Sequence, residues 1–390
     1  MISRNSINGA FPIKRLGEVV EFLDSKRRPV TESDRRAGPY PYYGANGLQG
    51  TIDDFIFDEP LVLLAEDGGH FGEPERGIAY RISGKSWVNN HAHVLRPTAD
   101  IELAYLCRVL ENYDVTPFVT GTTRGKLTKA GASEIVIPLP PLAEQRRIAE
   151  VLDRAEAVRA KRRAALAQLD SLTQSLFLDL FGDPVTNPKD WPRVKFGNLL
   201  ANIDSGWSPK CLDRPVIGKE WGILKLGAVT WCEYNAAENK ALPPDVEPDA
   251  ALEVKPGDLL FARKNTYELV AACALVRETP PRLLMSDLIF RFRLRPEAKV
   301  DSSFLHQLLI YPTKRREIQK LAGGSAGSMP NISKARLQTT DVEVPPLPLQ
   351  REFARRVGAV EKLKTAQRAS LAELDALFAA LQHRAFRGEL

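Results

Sequence analysis

Residues 140–183 read PPLAEQRRIAEVLDRAEAVRAKRRAALAQLDSLTQSLFLDLFGD, and residues 345–388 read PPLPLQREFARRVGAVEKLKTAQRASLAELDALFAALQHRAFRG. A shift of 205 superposes them without a gap, with 16 of 44 positions identical. Chance would give roughly two to four matches, so this is an internal repeat. Steps of four and three from Ile148 to Leu180, and from Phe353 to Ala385, trace a mostly apolar heptad seam, as in a coiled coil. Arg159 and Arg162 interrupt the first seam near its middle, and Lys364 and Gln367 interrupt the second. In an antiparallel pair these breaks meet, with Glu156 and Glu361 beside them, as a register device or a partner contact. Pro138, Pro140 and Pro141 set the entry of one helix, and Pro345, Pro346 and Pro348 that of the other. Gly182-Asp183-Pro184 ends the first. An arm of ~33 residues is roughly 50 Å long, about 15 base pairs of duplex.

The repeat extends outward. Gly121–Lys129 ends in Leu-Thr-Lys, and Ile332-Ser333-Lys334 answers it at the same shift. Leu95-Arg96-Pro97 matches Leu294-Arg295-Pro296 at shift 199, and Phe11-Pro12 matches Trp191-Pro192 at shift 180. The drift implies about 25 extra residues in the second copy, mostly between Ser205 and Leu259. The chain therefore reads as a globular domain at 1–137, a spacer helix at 138–183, a second globular domain at 184–341 and a second helix at 342–390. Pro60–Ala65 and Asp258–Ala262 read as buried strands, and Phe290–Arg295 as an alternating, half-buried one. Ile101–Asn112 and Ser303–Leu321 read as amphipathic helices. The expected fold is α+β (mixed α/β). It has two similar domains and two long antiparallel coiled-coil helices in a pseudo-twofold arrangement.

Composition is that of a soluble globular protein: 390 residues, 44% hydrophobic and 26% charged. The opening stretch MISRNSINGAFPIKRL has no apolar run of the secretory kind, and the longest apolar run, Leu269–Val276, is too short to span a bilayer. Four cysteines without C-x-x-C spacing suit reduced thiols and a cytoplasmic location. The net charge of +5 is unevenly spread, with 16 basic against 18 acidic residues over 1–137 and 22 against 17 over 191–341. Such a balance favours a nucleic-acid partner only weakly.

The two-copy layout, the P-P-L-x-x-Q-R helix openings, Tyr42–Gly50 (YYGANGLQG) and Val88–Pro97 (VNNHAHVLRP) together resemble the specificity subunit of type I restriction–modification systems. The resemblance covers essentially the whole chain. It implies two target-recognition domains, each reading one half of a bipartite site on double-stranded DNA. It also implies helices that set the spacer and dock modification (methyltransferase) subunits, with restriction (endonuclease/translocase) subunits joining the complex. Such a subunit has no catalytic residues, no cofactor and no membrane partner. A coiled-coil scaffold that joins proteins without reading DNA is the alternative.

The residues point the same way. No S-adenosylmethionine loop or N/D-P-P-Y/F-type motif is present, and Gly77–Ser86 has the wrong spacing for a phosphate loop. Pro248-Asp249 with Glu253-Val254-Lys255 imitates a nuclease motif, but the acids are too close for two adjacent strands. His91 and His93 with His70 form a possible metal set; their expected repeat partners, Phe290 and Phe292, argue for a structural role and no metal. Candidate DNA contacts in the first domain are the dense basic stretch Lys26, Arg27, Arg28, Arg35 and Arg36. Arg124 and Lys126 sit in a Gly-flanked loop, and Tyr43 and Asn46 in another. In the second domain they are Lys210, Arg263, Lys264 and Asn265 after turn signals, and Arg291 and Arg293 on one strand face.

Overall fold

The computed structural model describes residues 11–73, 76–121, 125–323 and 329–390. The chain divides into two compact units. One is Met1–Ala165 with Gln367–Leu390, and the other is Leu166–Ala366. Both are mixed α/β, and each takes a share of both long helices.

In the first unit, strands Val20–Phe22, Ala92–Pro97, Leu61–Ala65 and Ala79–Ile82 lie in that order in an antiparallel sheet. Leu61–Ala65 is apolar without alternation because both faces are covered. Val62 and Leu64 enter the cluster under helix Leu103–Glu111, while Leu61 and Leu63 face a second cluster with Phe57 and Val88. A second sheet orders Gly47–Ile52, Tyr40–Gly44, Lys85–Val88 and Phe57–Asp58. Ile13–Arg15 pairs with Val136–Pro138, closing the unit where the long helix departs.

The second unit repeats the first sheet: Leu200–Ser205, Ile289–Leu294, Leu259–Ala262 and Cys273–Leu275, all antiparallel. Arg193–Lys195 pairs with Asp341–Glu343, as Ile13–Arg15 does with Val136–Pro138. The second sheet differs: three strands, Asn239–Ala241, Gly222–Leu224 and Leu283–Leu284. Much of it comes from the segment that lengthens this copy.

The sheets correct the shift of 199. The Thr98 amide donates to Val19 O, and the Arg295 amide donates to Leu199 O, a shift of 197 for the later strand. His93 stands opposite Leu64 as Phe290 stands opposite Phe261. The two Leu-Arg-Pro triplets are therefore not equivalent, and the counterpart of His93 is Phe290. The helix expected over Ser303–Leu321 is two helices, Ser302–Ile310 and Pro312–Gln319. Pro312 forces Tyr311 into extended backbone (φ −59°, ψ 134°) and starts a new helix.

The long helices run Leu142–Phe181 and Leu347–Arg387. The first stops at Gly182, whose φ of +77° is the left-handed end the Gly-Asp-Pro signal predicts. The P-P-L-x-x-Q-R motif has a physical reason. Gln145 is buried; its Nε2 donates to Pro140 O (2.8 Å) and Asp100 O (3.0 Å), and its Oε1 accepts from the Glu102 amide (2.8 Å). Gln350 makes the same three bonds to Pro345 O (2.6 Å), Lys299 O (3.1 Å) and the Asp301 amide (2.8 Å). Each glutamine thus fastens the root of a long helix to the turn before the shorter helix of its own unit.

The seam residues are the protected ones. Ile148, Leu152, Phe378 and Ala385 enter the core of the first unit, and Phe353 and Val357 that of the second. In the first unit Arg159 pairs with Asp375 across the helices (2.7 Å) and Arg162 donates to Gln367. In the second, Lys364 pairs with Asp170 (2.8 Å) and with Glu361 on its own helix. Arg159 and Lys364 are repeat-related, as are Asp170 and Asp375, so one ionic pairing occurs once in each unit. Among the described residues no helix is long and apolar enough to cross a membrane.

Candidate nucleic-acid interface

In the first unit the basic stretch follows the short turn Asp24–Lys26 and is strapped over the second sheet. The Tyr42 hydroxyl accepts from the Val30 amide (3.0 Å) and donates to Val30 O (3.1 Å), and Trp87 Nε1 donates to Arg28 O (2.6 Å). Lys26, Arg28 and Arg36 are exposed, and no side-chain hydrogen bond or ion pair among the described residues holds them. Arg35 lies over the Tyr42 ring at 4.1 Å and donates to Gln49 O.

Arg27 is a correction. Its guanidinium turns inward to Glu66 (2.5 Å), Ala92 O (2.7 Å) and Asp24 O (3.1 Å), so it anchors the stretch instead of extending it. It belongs to an ionic cluster. Asp24 Oδ2 lies 2.6 Å from His93 Nδ1, His93 Nε2 lies 2.8 Å from Leu127 O, and Lys126 Nζ lies 3.0 Å from Glu66. Burial pushes both carboxyls up. For Asp24, His93 and the Val94 amide overcome it; for Glu66, Arg27 and Lys126 do; both end below the usual carboxylate range. Asp24, Glu66 and His93 have the look of a metal triad. Arg27 and Lys126 already supply the positive charge there, and no metal is needed to balance it.

Lys126 is half exposed, and Asn46 is exposed with Nδ2 donating to Gly68 O (2.9 Å), which ties the Gly44–Gly47 hairpin to the neighbouring loop. Tyr43 is half-buried against Tyr80. Arg124 lies outside the described residues.

The second unit corrects two further expectations. Arg291 is 1% exposed, bound to Asp204 (2.8 Å), Asp258 (3.2 Å) and the carbonyls of Ala251 and Glu253. Asn265 is 6% exposed and caps its own loop, accepting from the Thr266 amide. Neither faces solvent. Arg293 does, but shares Asp204 with Arg291. Burial raises the Asp204 carboxyl, and the two arginines overcome it and hold it below its ordinary range. Arg263 donates to Asp287 O (2.6 Å) and Asn331 Oδ1 (3.2 Å) and lies 5.4 Å from the Phe290 ring. Lys264 is half-buried and Lys210 exposed.

Lys129 and Lys334 did not enter the sequence-based set. Lys129 Nζ lies 5.3 Å from the Phe22 ring and Lys334 Nζ 5.5 Å from the Phe290 ring. Both are the lysine of the repeated Leu-Thr-Lys and Ile-Ser-Lys motif, so the signal was present. Trp231 was missed too: it is 75% exposed at a turn no local pattern marks.

Comparison with known proteins adds an independent observation. Residues 10–168 match the type I restriction modification DNA specificity domain. Over those residues the chain is similar to the specificity subunits of type I restriction–modification systems. It is 39% identical over 140 residues to a putative type I restriction enzyme specificity subunit of Haemophilus influenzae, 36% of either chain. The match thus spans well under two thirds of that relative. It is 25% identical over 389 residues to the EcoKI specificity subunit of Escherichia coli K12, covering 90% of this chain and 82% of that one. The crystal structure of the specificity subunit from M. genitalium superposes with a TM-score of 0.63 over 97% of this chain and 96% of that one. At 13% identity that likeness speaks for the fold.

Proposed function

We propose that this chain is the non-catalytic DNA-specificity subunit of a type I restriction–modification complex. Each globular domain, 1–137 and 184–341, reads one half of a bipartite site. The two long helices pair antiparallel about a pseudo-twofold axis, fix the spacer and dock methyltransferase subunits, which restriction subunits join. The observation that carries this is the repetition of a whole unit: the same four-stranded sheet, the same glutamine fastening and the same cross-helix ion pair occur twice. A duplex offers two half-sites at a fixed separation, and a duplicated reader on a rigid spacer matches that geometry.

The antiparallel pairing is supported by Arg159 with Asp375 and Lys364 with Asp170, in which residues early in one helix meet residues late in the other. Docking is supported by exposed apolar residues at repeat-related positions: Val158 and Leu363, and Leu172 and Leu377. Exposed side chains of this kind on otherwise polar helix faces suit a protein partner, once per unit. The exposed cations Lys26, Arg28, Arg36 and Lys210 suit phosphates, which orient a reader, while bases are read by side chains carried on the loops. Methylation requires a flipped base, a task for the methyltransferase subunit.

Gel-shift competition with the assembled methyltransferase complex tests the reading. One duplex, defined in both half-sites, is expected to compete far better than random duplex. Equal competition by all duplexes would leave a scaffold.

A further inference from the structure

We propose that His93, held as an imidazolium, is the positioning residue that locks the DNA-facing loops of the first unit together. The inference rests on the reading of that unit as a DNA reader. His93 is 1% exposed, and both ring nitrogens face acceptors. Leu127 O, 2.8 Å from Nε2, can only accept. The Asp24 carboxylate accepts from the Val94 amide through Oδ1 at 3.0 Å, and its Oδ2 lies 2.6 Å from Nδ1 as the second acceptor on the ring. A ring that donates from both nitrogens is an imidazolium. Either neutral tautomer would turn a lone pair onto one of these oxygens.

Those two bonds tie two segments to one buried ring. Asp24 begins the turn from which the basic stretch Lys26–Arg36 departs. Leu127 follows Lys126 at the end of the Gly-flanked loop. The surrounding charges complete the lock: Glu66 Oε2 lies 3.7 Å from Nδ1, Arg27 and Lys126 both hold Glu66, and Phe22 sets its ring edge-on to the imidazole with Lys129 over it. Loops of polar residues are mobile unless tied, and a reader that must meet base edges needs them fixed before DNA arrives.

The second unit solves the same problem differently. Phe290 stands where His93 does, and Arg263 stands where Glu66 does: the Ile332 amide donates to Arg263 O as the Leu127 amide donates to Glu66 O. There Arg263 and Lys334 lie over the ring of Phe290, which takes the place of the histidine. The lock is therefore private to the first unit, and its loss is expected to affect one half-site only.

The experiment uses the full chain in its methyltransferase complex, with half-sites defined by its methylated sites. Competition binding compares duplexes with one half-site scrambled, for the wild type, His93→Gln and His93→Phe. Expected is a loss of discrimination at one half-site by about tenfold or more, comparable to losing a base contact, with the other half-site unchanged. The imidazole 15N spectrum of the wild-type chain is expected to show His93 protonated at both nitrogens, a readout independent of how well a variant folds. A neutral His93, or variants that discriminate at both half-sites as the wild type does, would overturn the lock alone. A wild-type complex without sequence preference would overturn the DNA reading and the lock with it.

Discussion

Single side chains in this protein divide into those that hold its two units together and those left exposed on their surfaces. Arg291 and Arg293 lie on one strand face two residues apart, and alternation predicts the same fate for both. Asp204 and Asp258, brought in from other strands and turns, bury Arg291 and leave Arg293 exposed. No local pattern reports acids 33 and 87 residues away, so the sequence could nominate both but not separate them. We expect Arg291→Ala to destabilise the second unit by about 3–5 kcal/mol, because it strands buried carboxylates. Arg28→Ala and Arg36→Ala should leave unfolding within about 0.5 kcal/mol of wild type. Each should lower the slope of log affinity against log salt by about one. Denaturant unfolding and salt-dependent binding check the pair; a stable Arg291→Ala chain would contradict the assignment. His306 supplies a pH test. Burial drives its imidazole down to about 4, although Nε2 donates to Cys232 O and Cys273 O. Unfolded, it titrates near 6.5, so below that pH the unfolded chain binds a proton that the folded one does not. This contribution is fully present above about pH 6.5 and is lost as pH falls toward 4, on the order of 3 kcal/mol in all. Unfolding between pH 7 and 4 should show a shallower loss in His306→Gln; identical profiles would remove His306 as the cause.

Elements were legible where the pattern was long or the burial two-sided. The heptad seam marked both long helices because protection from solvent follows it over many turns. The unalternating run Leu61–Ala65 marked a strand covered on both faces. What local reading missed came from single residues that override a pattern: Pro312 divides a helix, and the bulge between Leu200 and Asn202 offsets the repeat. The glutamine of the helix-opening motif was visible as a repeated letter, but its three hydrogen bonds were not. Gln145→Ala or Gln350→Ala should cost about 2–4 kcal/mol in the unit concerned, since buried carbonyls and an amide lose their partner. Lys364 is buried more deeply than its counterpart Arg159. Lys364→Glu, beside Glu361 and Asp170, should therefore destabilise by at least about 2 kcal/mol. Adding Asp170→Lys should recover part of that loss. Thermal unfolding checks both; no recovery in the double variant would contradict the ion pair as the register element.

At the scale of the molecule, duplication was the strongest signal in the sequence, and it survives in sheet order, helix fastening and cross-helix pairing. The bases that the proposed reader would select are not written there, because they depend on loop side chains whose positions follow from tertiary contacts such as the His93 cluster. Duplication also makes the spacer a mechanical quantity. Removing one heptad from each long helix keeps the seam and shortens each arm by ~10 Å, about three base pairs. The unread spacer should shrink by that amount while both half-sites persist; an unchanged spacer would contradict a ruler. The most direct test of the central claim is a genome-wide map of methylated sites in cells carrying this chain and its methyltransferase partner. The account predicts one motif of two short defined halves around an undefined spacer of constant length. A single continuous motif, or methylation without sequence preference, would contradict it.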